Sequence, residues 1–293
     1  MRGSYARECQ AKLARFRSRI FLNRSCFRIQ LGTSRHCTRG YLFGALHYNL
    51  GTMSIASNLA EIRERIERAA RRAGRDPRDI ALMAVSKTHP APAILEAITA
   101  GQTLFGENKV QEFAGKRDAV LAASTAGTFH LIGHLQSNKA ARAVELFDAV
   151  DSADSLRLAE RLNEAAARLH RRLDVLIEIN VGGEEAKSGL DPKSDELLAL
   201  LDAQARLANL AIRGFMTVPP FTEDPEGARG CFAQLRELRD RMRAHGGLPL
   251  NELSMGMSHD FEVAIEEGST CVRVGTAIFG ARTYPAPNKE PAQ

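Results

Sequence analysis

Eight short apolar runs punctuate the chain, and most of them lack the polar alternation of a half-exposed strand. They are ALMAVS (81–86), LFGE (104–107), FHLIG (129–133), FDAVD (147–151), DVLIEIN (174–180), IRGFMTV (212–218), LSMGM (253–257) and CVRVG (271–275). Runs that are apolar on both faces suit strands covered on both sides, the condition of a parallel sheet under helices. Helical patterns separate them. Over 154–170, Leu158, Leu162, Ala165 and Leu169 recur at helical steps, and over 224–244 the stripe is Cys231, Leu235, Leu238 and Met242. Eight strands alternating with helices predict an α/β chain folded as a (β/α)8 TIM barrel rather than an open doubly wound sheet. No internal repeat or Pro-rich linker divides residues 53–284, so the barrel is expected to be one domain.

In such a barrel the chemistry belongs at the C-terminal ends of the strands. Lys87 follows the first run, Glu107 and Asn108 the second, and His134, Gln136 and Asn138 the third. Asn180 follows the fifth, Thr217 lies on the sixth, Ser258 and His259 follow the seventh, and Gly275 and Thr276 the eighth. These groups are expected to converge on one mouth. Taken by position alone, Lys87 is also what an exposed strand end would carry.

Two stretches near the C-terminus sharpen the picture. Ser258 precedes a short helix with apolar Phe261, Ala264 and Ile265, which makes it a candidate N-cap. The alternative is an anion cradle built from Ser258, Gly275 and the Thr276 hydroxyl, at the place where barrels of this kind hold phosphate. Arg273 lies between Val272 and Val274, and alternation points it away from them. A buried guanidinium must meet a carboxylate, water or a ligand, because an unpaired buried charge is costly. Glu178 and Glu107 are the candidate ion-pair partners, and a bound ligand is the other reading. The run GGEEAKSG (182–189) fails as a phosphate loop, since Ala186 stands where glycine must precede the lysine. His134 and His259 are candidate bases without a nucleophile at a fixed local spacing, so Lys87 remains the best reactive group.

The charge is uneven. Residues 1–52 carry ten Lys and Arg against Glu8 alone, whereas the rest of the chain is mildly acidic within a total of +5. Three readings fit this leader: a mitochondrial or other organellar transit peptide, a basic nucleic-acid-binding arm, or translated sequence upstream of the native start. The last is preferred, because Met53 is followed at once by a helix signature. Ser54 or Ser57 caps it, and Leu59, Ile62, Ile66, Ala69 and Ala73 form its stripe. No aromatic–basic interleaving accompanies the charge, so a nucleic-acid partner is not expected. The five cysteines show no metal-ligand spacing, and no run reaches the roughly 18 apolar residues of a membrane span. A reducing, cytoplasmic setting is expected. The tail from Pro285 to Gln293 is polar and Pro-containing, and is expected to be disordered.

Six motifs taken together carry a resemblance: AVSKT (84–88), FGENKVQE (105–112), FHLIGHLQSNK (129–139), IEINVGGEEAKSGL (177–190), IRGFMTVPP (212–220) and LSMGMSHDFEVAIEEGSTCVRVGTAIFGAR (253–282). From Met53 to Arg282 the chain closely resembles the YggS/PROSC family of pyridoxal phosphate homeostasis proteins, which are similar to the barrel domain of alanine racemase, a fold of pyridoxal phosphate (PLP) type III. The family has nothing like residues 1–52, which favours the upstream reading of the leader.

The resemblance implies that Lys87 forms a Schiff base with pyridoxal 5′-phosphate. It further implies that Ser258, Gly275 and Thr276 hold the phosphate, that Arg273 faces the pyridine nitrogen or the phosphate region, and that Asn108 lies beside the ring. Imines form only from neutral amines, so Lys87 is expected to be desolvated or near positive charge. It implies a non-enzymatic carrier in vitamin B6 homeostasis, with PLP-dependent apoenzymes as candidate recipients and a monomeric state. Two features speak against turnover: the only tyrosine after Met53 is Tyr284, and an arginine facing the ring nitrogen cannot accept its proton. The rival is a single-domain amino-acid racemase or lyase.

Overall fold

The computed structural model describes residues 54–184, 188–246 and 248–281. Residues 1–53 and 282–293 lie outside it, and with them the expectations for the leader, for Tyr284 and for the tail.

Helix α1 (Ile55–Arg72) starts where the pattern places it: the Ser54 hydroxyl accepts the Ser57 N–H at 3.1 Å, satisfying one of the first-turn donors. Leu59, Ile62, Ile66 and Ala69 are buried on one face. There follow β1 (Ala81–Val85), α2 (Ala91–Thr99), β2 (Leu104–Glu107), α3 (Val110–Ala123), β3 (Thr128–Leu131), α4 (Ala140–Leu146) and β4 (Ala149–Ala153). The chain continues through α5 (Leu156–Arg168), β5 (Leu173–Glu178), α6 (Asp195–Asp202), β6 (Leu210–Met216), α7 (Arg229–Gly246), β7 (Glu252–Ser254), α8 (Phe261–Glu266), β8 (Cys271–Val274) and α9 (Thr276–Phe279).

The eight strands form a closed barrel in chain order. All pairings are parallel, and β1 closes on β8 from Ala81↔Cys271 to Ala84↔Val274. Closure removes both sheet edges and brings the C-terminal ends of all strands to one rim. The main core lies between the outer strand faces and the helices. Phe105 and Phe129 stack at 5.2 Å there, and Phe113 of α3 bridges from Phe129 to Phe147. Each such ring is fully or almost fully buried, which stabilises the fold by roughly 1.5–3 kcal/mol relative to exposure.

Three expectations are corrected. The α5 stripe is closed by Ala159 and Ala166; Leu169 caps the helix and is 45% exposed. In α7 Leu235 and Leu238 are buried as expected, but Phe232 joins them in place of Cys231, which is only half-buried like Met242. β6 begins and ends two residues before the apolar run, so Thr217 follows the strand instead of lying on it. Thr217 is fully buried although it lies past β6, whereas Leu169 is apolar but exposed at a helix end.

Candidate functional site

Lys87 stands two residues beyond β1, in a turn closed by the His89 N–H donating to the Ser86 carbonyl at 3.1 Å. The next residue, Thr88, has φ 66°, a left-handed conformation that a β-branched residue adopts only when its surroundings hold it there. Asn108 is the first residue after β2 and Arg273 the third of β8. Gly275 and Thr276 join β8 to α9.

All six predicted residues, Lys87, Asn108, Ser258, Arg273, Gly275 and Thr276, line one cavity of about 330 Å³ at the C-terminal rim. Val85, Ile132, Val218 and Met257 supply apolar wall, and His89 and His259 are the remaining lining residues. That volume lies within the range of roughly 300–1,000 Å³ typical of small-molecule sites.

Ser258 does not cap α8. Asp260 occupies the N-cap position, and its Oδ1 accepts the Met257 N–H at 2.6 Å, which tightens the loop before the helix. Ser258 is thereby released to the cavity, where its hydroxyl accepts the Gly275 N–H at 3.3 Å and keeps its own proton to donate. Gly275 packs close to β1: a Cβ there would stand 3.3 Å from the Val85 carbonyl oxygen. The first turn of α9 adds amide N–H groups that lack intrahelical acceptors.

Arg273 is 4% exposed. Its Nη1 donates to the Ser254 carbonyl at 2.6 Å and hydroxyl at 2.8 Å, and its Nη2 donates to the Thr217 carbonyl at 2.7 Å. Among the described residues it makes no ion pair with Glu178 or Glu107; Glu107 is paired with Lys116 at 2.8 Å. Burial pulls the guanidinium below its usual value, opposed by Cys271, Asp151, Glu178 and Asp260. Burial also raises the Glu178 carboxyl, against the Ser188 hydroxyl and the Arg273 charge, and raises Glu107 against Lys116.

Several expected mouth residues are elsewhere. His134 is exposed, with Nδ1 against Asp154 Oδ2 at 2.7 Å. The Asn180 amide donates to the Glu184 carbonyl at 2.9 Å, and the buried Thr217 hydroxyl donates to the Ile179 carbonyl at 2.7 Å. Gln136 and Asn138 do not line the cavity either.

A family model described as the alanine racemase N-terminal domain matches residues 57–283. The chain is 43% identical to the pyridoxal phosphate homeostasis protein of Aquifex aeolicus, covering 79% of this chain and 100% of that protein. With the protein of the same name from Pseudomonas aeruginosa it shares 46% identity, over 80% of this chain and 98% of the other. The chain belongs to the pyridoxal phosphate homeostasis protein family, within the alanine racemase N-terminal domain group. The solved structure of the family member PipY from Synechococcus elongatus, with PLP bound, superposes with a TM-score of 0.69 at 40% identity, covering 78% of this chain and 100% of that one. Alanine racemase from Corynebacterium glutamicum shares the fold alone, with a TM-score of 0.57 at 21% identity.

The sequence reading of this homeostasis-family chain missed the apolar wall, and it attached no role to His89. A signal was present: Val85 ends β1, Ile132 follows β3 and Val218 lies just past β6.

Proposed function

We propose that this chain binds pyridoxal 5′-phosphate in the rim cavity, with Lys87 as its covalent anchor, and acts as a carrier in PLP homeostasis. The convergence of Lys87, Asn108, Ser258, Arg273, Gly275 and Thr276 on one cavity carries this reading. The fit has an independent support: Asn108 has a buried side-chain oxygen with no partner among the described residues, a group that a ligand can satisfy.

When bound, the cofactor supplies an aldehyde that condenses with a neutral primary amine and releases one water. The Ser258 hydroxyl, the Gly275–Thr276 backbone and the Thr276 hydroxyl receive the phosphate. Val85, Ile132, Val218 and Met257 would supply the apolar surface against the cofactor and exclude water, while Asn108 and Arg273 would supply polar groups to hold it. The three acceptors on Arg273 keep it a donor, so it offers no base to hold a proton on the ring nitrogen. This disfavours carbanion chemistry and supports holding over turnover. PLP-dependent apoenzymes are the proposed recipients, and the protein is proposed to act as a cytoplasmic monomer. Among the described residues no helix is long and apolar enough to cross a membrane.

One observation favours the rival, a racemase or lyase. His259 lines the cavity, and its Nε2–H donating to the Glu223 carbonyl at 2.9 Å leaves Nδ1 as a proton acceptor. Measuring α-proton exchange on a panel of amino acids separates the two, since rapid exchange dependent on Lys87 contradicts a carrier. For the site itself, PLP loading followed by borohydride reduction and peptide mapping should label Lys87. Lys87→Ala should lose both the label and the visible absorption band; retention of either refutes the assignment.

A further inference from the structure

The turn that carries Lys87 is held from below by a side chain that never reaches the cavity. Lys116, on the second turn of α3, is 9% exposed. Its Nζ donates to the carbonyls of Ser86 at 3.0 Å and His89 at 3.1 Å, the two ends of the turn. The same ammonium pairs with Glu107 at 2.8 Å and Glu112 at 3.1 Å. Those carboxylates reach the turn themselves: Glu107 Oε1 accepts the Ser86 hydroxyl, and Glu112 Oε1 accepts the Thr88 N–H. Ser86, Thr88 and His89 are therefore all tied to this one cluster.

The cluster explains how Thr88 stays at φ 66°, a conformation that costs an L-residue on the order of 1–2 kcal/mol. Were Thr88 to relax to negative φ, the peptide after Lys87 would rotate and the side chain would leave its line into the cavity. We propose that Lys116 is a positioning residue, which sets the direction of the Lys87 amine by bridging the carbonyls of Ser86 and His89 to Glu107 and Glu112. This rests on Lys87 being the PLP anchor, and the geometry of the turn is testable without it.

Three measurements on Lys116→Met form the test. In the cofactor-free protein, amide hydrogen exchange over residues 86–89 should rise while exchange in the strands is unchanged. The rate of Lys87 loading by PLP should fall by about tenfold or more, as expected when a reacting group is misplaced by about an ångström. The affinity for pyridoxine 5′-phosphate, which lacks the aldehyde, should be retained. Adding Thr88→Gly to Lys116→Met should recover part of the loading rate, because glycine adopts positive φ without strain.

Unchanged exchange over 86–89, or wild-type loading, overturns the proposal; so does a parallel loss of pyridoxine phosphate affinity, which would mean collapse of the mouth. If the wild-type protein is not labelled at Lys87, the anchor assignment fails, and the exchange data alone still decide whether Lys116 holds the turn. Should Lys116→Met not fold, Glu112→Ala removes the contact to Thr88 and leaves the Glu107–Lys116 pair. The same changes are then expected at smaller amplitude, and their absence is equally fatal.

Discussion

Replacing Arg273 with lysine isolates what the guanidinium contributes beyond its charge. From β8, Nη1 holds Ser254 at the end of β7 and Nη2 holds Thr217 just past β6. The shorter lysine carries one nitrogen where the guanidinium has two facing these carbonyls, and it is expected to keep one side. If it keeps Ser254, the buried Thr217 carbonyl loses its donor. If it keeps Thr217, the Ser254 carbonyl still accepts the Thr217 N–H at 3.2 Å, so the loss is smaller. An orphaned buried acceptor costs about 1–3 kcal/mol, and the two outcomes span that range. For a domain of this size each kcal/mol lowers Tm by roughly 2–4 °C, so the cofactor-free variant should melt roughly 2–12 °C lower. Circular dichroism melts near neutral pH measure this, with the urea m-value reporting whether the denatured state has changed. A Tm within about 1 °C of wild type would refute the bridging role, since the lysine would then replace both contacts at no cost.

Two further outcomes follow from close packing and burial. Gly214→Ala places a Cβ 1.8 Å from the Glu252 carbonyl oxygen, so β6 and β7 must separate. A loss of about 1–3 kcal/mol in urea unfolding is expected, together with weaker PLP binding as Ser254 and Arg273 shift; an unchanged midpoint contradicts that approach. Glu178 has one oxygen on Ser188 and the other buried with no partner among the described residues, and burial raises its pKa in the folded state. Its charge therefore opposes folding in full above the folded pKa, and the opposition disappears as pH falls below the unfolded carboxylate value of about 4.3. Glu178→Gln should be more stable than wild type in urea at mildly alkaline pH and lose that advantage toward pH about 4. A variant less stable than wild type at the alkaline end refutes the sign.

The barrel was legible because its cause is local and repeated. Each strand buried on both faces must read as an apolar run, and each covering helix must show a stripe, as α1 does through Leu59, Ile62 and Ile66. Boundaries were less legible, since burial continues past the strand at Thr217 and an apolar residue at a helix end need not be buried, as Leu169 is not. Position at a strand end was enough to nominate Lys87, Asn108, Ser258, Gly275 and Thr276, and alternation within the last strand nominated Arg273. It nominated His134, Gln136, Asn138 and Asn180 equally, because a one-dimensional reading cannot tell which part of the rim a loop overhangs.

What the sequence by itself determined is thus the architecture and the inventory of groups at the rim. The tertiary structure decided which of them share a cavity, because closing β1 on β8 joins residues near 87 to those near 275. It also decided what satisfies the buried charges. Arg273 is held by two carbonyls and a hydroxyl instead of a carboxylate, and Lys116 reaches across from α3 to the turn after β1. Such partners lie far apart along the chain and follow no period, so only the folded barrel, in which a buried charge must find a nearby oxygen, selects them.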